Sequence, residues 1–100
     1  MAGSRRLNGD GWAFITSHAA ILLEVHRNPE ATVRELAAAT DITERQAHRV
    51  LSDLVASGYI TRERVGRRNV YGINVDRPMR HRSVAHHQIR ELLAALAPPE

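Results

Sequence analysis

Thr32-Val33-Arg34-Glu35 and, eleven residues on, Thr43-Glu44-Arg45-Gln46 both begin on threonine and end, three places later, on glutamate or glutamine. That spacing is a capping box: the threonine hydroxyl takes up one free amide at a helix start, and the acidic or amide side chain takes up another. Two starts so close leave room for only a short first helix, from about 33 to 40, and a turn at Asp41-Ile42. Aspartate suits such a turn because its short polar side chain tolerates the left-handed conformation. Ala31 with Leu36, and Ile42 with Ala47, place apolar residues on either side of each start in the manner of a hydrophobic staple. The second helix is expected from Glu44 to about Ser57, with Ala47, Val50, Leu51, Leu54 and Val55 at i, i+3, i+4, i+7 and i+8 along one face. Gly58 follows where a left-handed cap is expected.

Downstream, 59–65 and 70–75 alternate as strands around Gly66-Arg67-Arg68-Asn69, read as a four-residue turn with Gly66 and Asn69 available for positive φ. Helix, tight turn, helix, glycine and hairpin is the order of a winged helix-turn-helix, a mainly α fold with a small β-hairpin. The helix-turn-helix occupies 33–57 and the wing 59–75.

Residues 1–9 are small, polar and basic and read as a disordered tail, leaving 10–97 as one domain. Asp10 is placed to cap a helix from about 11 to 27, ended by Asn28-Pro29. Its apolar residues, Trp12, Ile15 and Leu22 among them, cover more than one stripe, so a second buried face is expected. A last helix from about 84 to 97 carries Ile89, Leu92, Leu93 and Leu96 on one side. The helices at 10–27 and 84–97 are therefore the expected dimerisation elements, with Trp12, Ile15, Leu22, Ile89, Leu92, Leu93 and Leu96 at the interface. A chain of 100 residues builds only a modest core, which gives burial against a second copy added value.

The formal net charge is +3, and all fourteen basic side chains are arginine. Much of the lysine deficit follows from a GC-rich codon bias, since alanine is also abundant. The distribution is more informative: 60–82 holds seven arginines against Glu63 and Asp76, a local balance of +5. Such clustering is an electrostatic footprint for nucleic acid. With no cysteine, disulfides, thiolate metal sites and cysteine nucleophiles are excluded. A reducing, cytoplasmic location fits, and no apolar run approaches the roughly 18 residues of a membrane span. No nucleophile–base pair or glycine-rich phosphate loop points to catalysis, and no cofactor is implied. His81, His86, His87 and Glu91 cluster near the last helix, but their spacing matches no strong zinc pattern. They are read as polar surface or dimer-rim residues, with no metal site assigned.

Removing the buried stripe from the second helix leaves Thr43, Glu44, Arg45, Gln46, His48 and Arg49 for DNA. The second helix of a helix-turn-helix enters the major groove N-terminus first. Arg45 and Gln46 are placed to read bases, since arginine pairs with guanine and glutamine with adenine. Thr43 and Arg49 suit phosphate, and His48 suits either. On the wing, Arg67 and Arg68 sit at the tip, flanked by Arg62 and Arg64, in reach of phosphates or the minor groove.

The stretch from Ile42 to Ile60, with Arg-Val-Gly-Arg-Arg-Asn-Val-Tyr at 64–71, resembles bacterial winged-helix transcriptional regulators of the MarR and ArsR groups, especially small actinobacterial ones. The resemblance implies a homodimer built from the first and last helices and bound to a pseudo-palindromic, double-stranded operator. It also implies that Thr43, Arg45, Gln46, His48 and Arg49 face the major groove. The chain lacks the cysteine pair of metal-sensing ArsR proteins and the long terminal helices of typical MarR proteins. Two other readings remain: a winged-helix protein-interaction module without its own operator, and RNA binding through the same basic surface. An exposed apolar patch in place of a continuous basic face would favour the interaction module.

Overall fold

The computed structural model describes residues 13–97. Within them the order is α1 (Ser17–Arg27), α2 (Val33–Thr40), α3 (Glu44–Ala56), β1 (Ile60–Val65), β2 (Arg68–Ile73) and α4 (Ile89–Leu96). Four helices and one antiparallel hairpin make up a winged helix-turn-helix.

Both capping boxes form. The Thr32 hydroxyl accepts from the Glu35 amide at 3.1 Å, and the Glu35 carboxylate accepts from the Thr32 amide at 2.9 Å. Thr43 and Gln46 repeat the exchange at the start of α3. Asp41 closes α2 in the left-handed region at φ 60°. The buried stripe of α3 is Ala47, Val50, Leu51 and Leu54, with Val55 half-buried. It meets Ile21, Leu22 and Val25 of α1, Leu36 and Ala37 of α2, and Ile60 and Tyr71 of the hairpin in one core.

At the C-terminus of α3, Gly58 adopts φ 83° and lets the chain reverse into β1. A Cβ there would lie 3.3 Å from Nε of Arg77, the movable end of a long side chain, so the backbone sets the cost. Left-handed φ costs an ordinary residue roughly 1–2 kcal/mol. Gly58→Ala is expected to lower the melting temperature by about 4–8 °C for each kcal/mol lost, as read by circular dichroism.

Three boundaries differ from the sequence reading. Among the described residues the first helix starts at Ser17, with 13–16 outside it, because Thr16 takes the N-cap and its hydroxyl accepts from the Ala19 amide at 3.2 Å. The last helix starts at Ile89 and not near residue 84. Here the backbone at 87–90 is drawn into bonds with the loop after the hairpin: Met79 N to His87 O at 3.0 Å, Ile89 N to Arg77 O at 3.0 Å, and Arg90 N to Val75 O at 2.9 Å. The wing turn is also tighter than expected. Val65 pairs with Arg68, leaving Gly66 and Arg67 as a two-residue loop with Gly66 at φ 63°. Glycine first in a two-residue hairpin loop is the type II′ preference, and its twist lets the strands zip to the tip. Asn69 accordingly lies within β2, opposite Arg64.

The expected dimer face divides. Leu22, Ile89 and Leu93 lie in the core of the protomer, each 5% exposed or less. With α1 short and α4 only eight residues long, their apolar stripes are consumed in closing the protomer. Ile15 and Leu96 remain exposed, and Leu92 is half-buried. Trp12, the cap at Asp10 and the tail at 1–9 lie outside the described residues.

Candidate nucleic-acid interface

The stapled turn between α2 and α3 leaves the N-terminal half of α3 on the surface. Thr43, Glu44, Arg45, Gln46, His48 and Arg49 are all exposed. They are not equally available. Oε1 of Gln46 accepts from the Thr43 amide at 2.9 Å and from the Thr43 hydroxyl at 3.2 Å, while that hydroxyl accepts from the Gln46 amide at 3.0 Å. Both residues are therefore held in one conformation by the cap. Glu44 at the first position of the helix complements its dipole and pairs with Arg34 of α2 at 3.1 Å. The pair compensates a carboxylate that would otherwise face an incoming phosphate. Arg45, His48 and Arg49 make no ion pair among the described residues.

Strand alternation sorts the wing. Arg62 stands opposite Tyr71 and Arg64 opposite Asn69, so both share one face of the ribbon, and Glu63 lies on the other. The Nε of Arg64 donates to the Gly66 carbonyl at 3.2 Å, which holds its guanidinium beside the tip. Arg67 occupies the tip itself. Arg68 is differently placed: it opens β2 and ion-pairs with Glu30, in the loop before α2. A further backbone bond, Tyr71 N to Pro29 O at 2.9 Å, ties the wing to the same loop.

The arginine cluster seen in the sequence separates into two groups in space. Arg77 lies over the Tyr59 ring, 5.4 Å from its centre, and Arg80 donates to Ser57 Oγ at 3.1 Å. Both gather at the C-terminal end of α3, where positive charge suits the helix dipole. A helix of 13 residues places that end about 20 Å from Thr43. The wing arginines and the N-terminus of α3 thus form the candidate nucleic-acid surface, and Arg77 and Arg80 serve the fold. Arg34 is an addition that the sequence reading missed. Its signal was its position inside the first capping box, exposed and one helix away from Glu44.

The histidines lie elsewhere. His18 bonds Asp53 at 2.9 Å, joining the start of α1 to α3. His87 Nδ1 lies 2.6 Å from Glu91, whose carboxyl is held below its ordinary pKa first by the Gln88 amide and then by His87. The His86 and His87 rings lie in a turn rather than on a helix, with centroids 4.1 Å apart. Among the described residues, no three His, Asp or Glu side chains are grouped to hold a metal ion. Nor is any helix there long and apolar enough to cross a membrane.

Capped recognition helix, glycine, and basic-tipped hairpin follow one another in a pattern that a family model recognises: that of the MarR family matches residues 15–68, just over half of the chain. The chain belongs to the MarR family. No curated protein matches it. The MarR-family match spans α1 through the wing tip and so includes every residue of the candidate surface. The family comprises DNA-binding transcriptional regulators of double-stranded DNA, and not enzymes.

Proposed function

We propose that this MarR-family chain is a cytoplasmic homodimer that binds a pseudo-palindromic, double-stranded operator in a sequence-specific way. The observation that carries the reading is the exposure of Arg45 and Arg49 on the N-terminal half of α3 and of Arg67 at the wing tip, none of them ion-paired among the described residues. Arg45 reads base edges, Arg49 meets phosphate, and Arg62, Arg64 and Arg67 follow the backbone beyond the groove, while Thr43 spends both its amide and its hydroxyl hydrogen on Gln46. Ile15, Leu92 and Leu96 supply apolar surface near the termini for a second copy, which would set two α3 helices about 34 Å apart on one face of the duplex.

Selection from a random duplex pool, run beside a sizing measurement, tests this. The expected product is a two-fold symmetric motif bound by a dimer. Enrichment of no duplex would overturn the reading. It would favour the interaction module, for which the specific support is a groove of about 710 Å³ lined by Leu22, Leu54, Met79, Val84 and Leu92.

Glu30 acts as a restraint on this surface by neutralising Arg68. Exposed ion pairs contribute little to stability, so Glu30→Gln is expected to melt like the parent chain. Freed to meet phosphate, Arg68 should raise affinity several-fold. The salt dependence, plotted as log K against log salt, should steepen by about 0.9 for each phosphate gained.

A further inference from the structure

We propose that Gln46 reads guanine and not adenine, because the capping box leaves its side chain with hydrogen-bond donors alone. The inference rests on the DNA-binding reading above and specifies the base recognised. Oε1 of Gln46 accepts from Thr43 N at 2.9 Å and from Thr43 Oγ1 at 3.2 Å, which fills both of its lone pairs. Nε2 carries two hydrogens and accepts nothing. Turning the amide over would aim Nε2 at the Thr43 amide, donor against donor, and leaving the box would forfeit both bonds at a helix end.

Base edges in the major groove differ in what they ask of such a group. Adenine offers N7 as an acceptor and N6 as a donor, so its bidentate partner needs one donor and one acceptor. Guanine offers two acceptors, N7 and O6. A fixed NH₂ group satisfies guanine and leaves the adenine N6 hydrogen unmatched. The neighbouring Arg45 is also a guanine partner, so each half-site should carry two guanines, one for each side chain.

The test selects duplexes with the full chain and with Gln46→Glu. Glutamate supports a capping box, as Glu35 does at the start of α2 with its carboxylate 2.9 Å from the Thr32 amide, yet it has no hydrogen to donate. The parent chain is expected to specify guanine at a half-site position where changing the base weakens binding roughly tenfold or more. Gln46→Glu should lose the preference at that position alone. Any loss from its added charge should be equal across sequences. In the parent complex, 7-deazaguanine at that position should weaken binding several-fold, a measurement that needs no variant to fold.

Two results would overturn the inference while leaving operator binding intact. One is a Gln46-dependent position that selects adenine and weakens when purine, which lacks N6, replaces it. The other is a Gln46→Glu variant that melts like the parent and keeps every base preference. Failure of both chains to enrich any duplex would overturn this inference and the proposed function together.

Discussion

Leu51→Ala is expected to cost about 2–5 kcal/mol, the usual range for emptying a buried leucine site. Leu51 is 1% exposed, at the centre of the α3 stripe, and shares the core with Ile21, Leu36 and Ile60. Four elements converge there, so no single one can move in to fill the space without opening another contact. A small domain holds roughly 5–15 kcal/mol of stability in total, so this substitution removes a large share of it. At about 4–8 °C for each kcal/mol, the melting temperature should fall by well over 8 °C. Arg49→Ala, two residues earlier on the exposed side of the same helix, provides the control. Its change should stay within about 0.5 kcal/mol, as is usual for surface sites. Equal melting of the two variants would contradict the assignment of the α3 faces.

Arg45→Ala and Arg67→Ala are expected to weaken operator binding in different ways. Loss of a bidentate base contact costs about 1–3 kcal/mol, and a dimer loses it twice. Arg45→Ala should therefore reduce specific affinity by roughly thirtyfold or more and relax preference at one position in each half-site. Arg67 sits on the wing tip and is assigned to phosphate. Its loss should weaken all sequences alike and flatten the salt slope by roughly 2 for the dimer, at about 0.9 per phosphate. Titrations between 50 and 200 mM salt separate the two behaviours, since six to ten phosphate contacts make affinity fall by about 10³ to 10⁵ over that span. Unchanged binding by both variants would remove the proposed interface.

The α2–turn–α3 unit was legible because its signals are local. Each capping box lies within four consecutive residues, and Asp41 adopts the left-handed conformation its chemistry permits. Asp10 and Thr16 are both good caps by composition, so the start of α1 was not decided by local chemistry; the Thr16 hydroxyl accepts from the Ala19 amide in a helix beginning at Ser17. The start of α4 carried only a weak local signal, Glu91 accepting from the Gln88 amide at 2.9 Å without a serine, threonine or aspartate at the cap. It is set by backbone bonds to 75–79, a segment reached only after the chain has turned back.

Sequence by itself determined the order of elements, the capped recognition helix, its buried and exposed faces and the basic hairpin, since capping, periodicity and turn chemistry act over one to four residues. Tertiary structure alone decided which arginines remain available. Glu30 lies 38 residues from the Arg68 it neutralises, and Arg77 and Arg80 are withdrawn to the far end of α3 by Tyr59 and Ser57. It also decided that Leu22, Ile89 and Leu93 are buried within the protomer's own core. An apolar stripe states that a face will be buried, but what buries it depends on where the other elements come to rest.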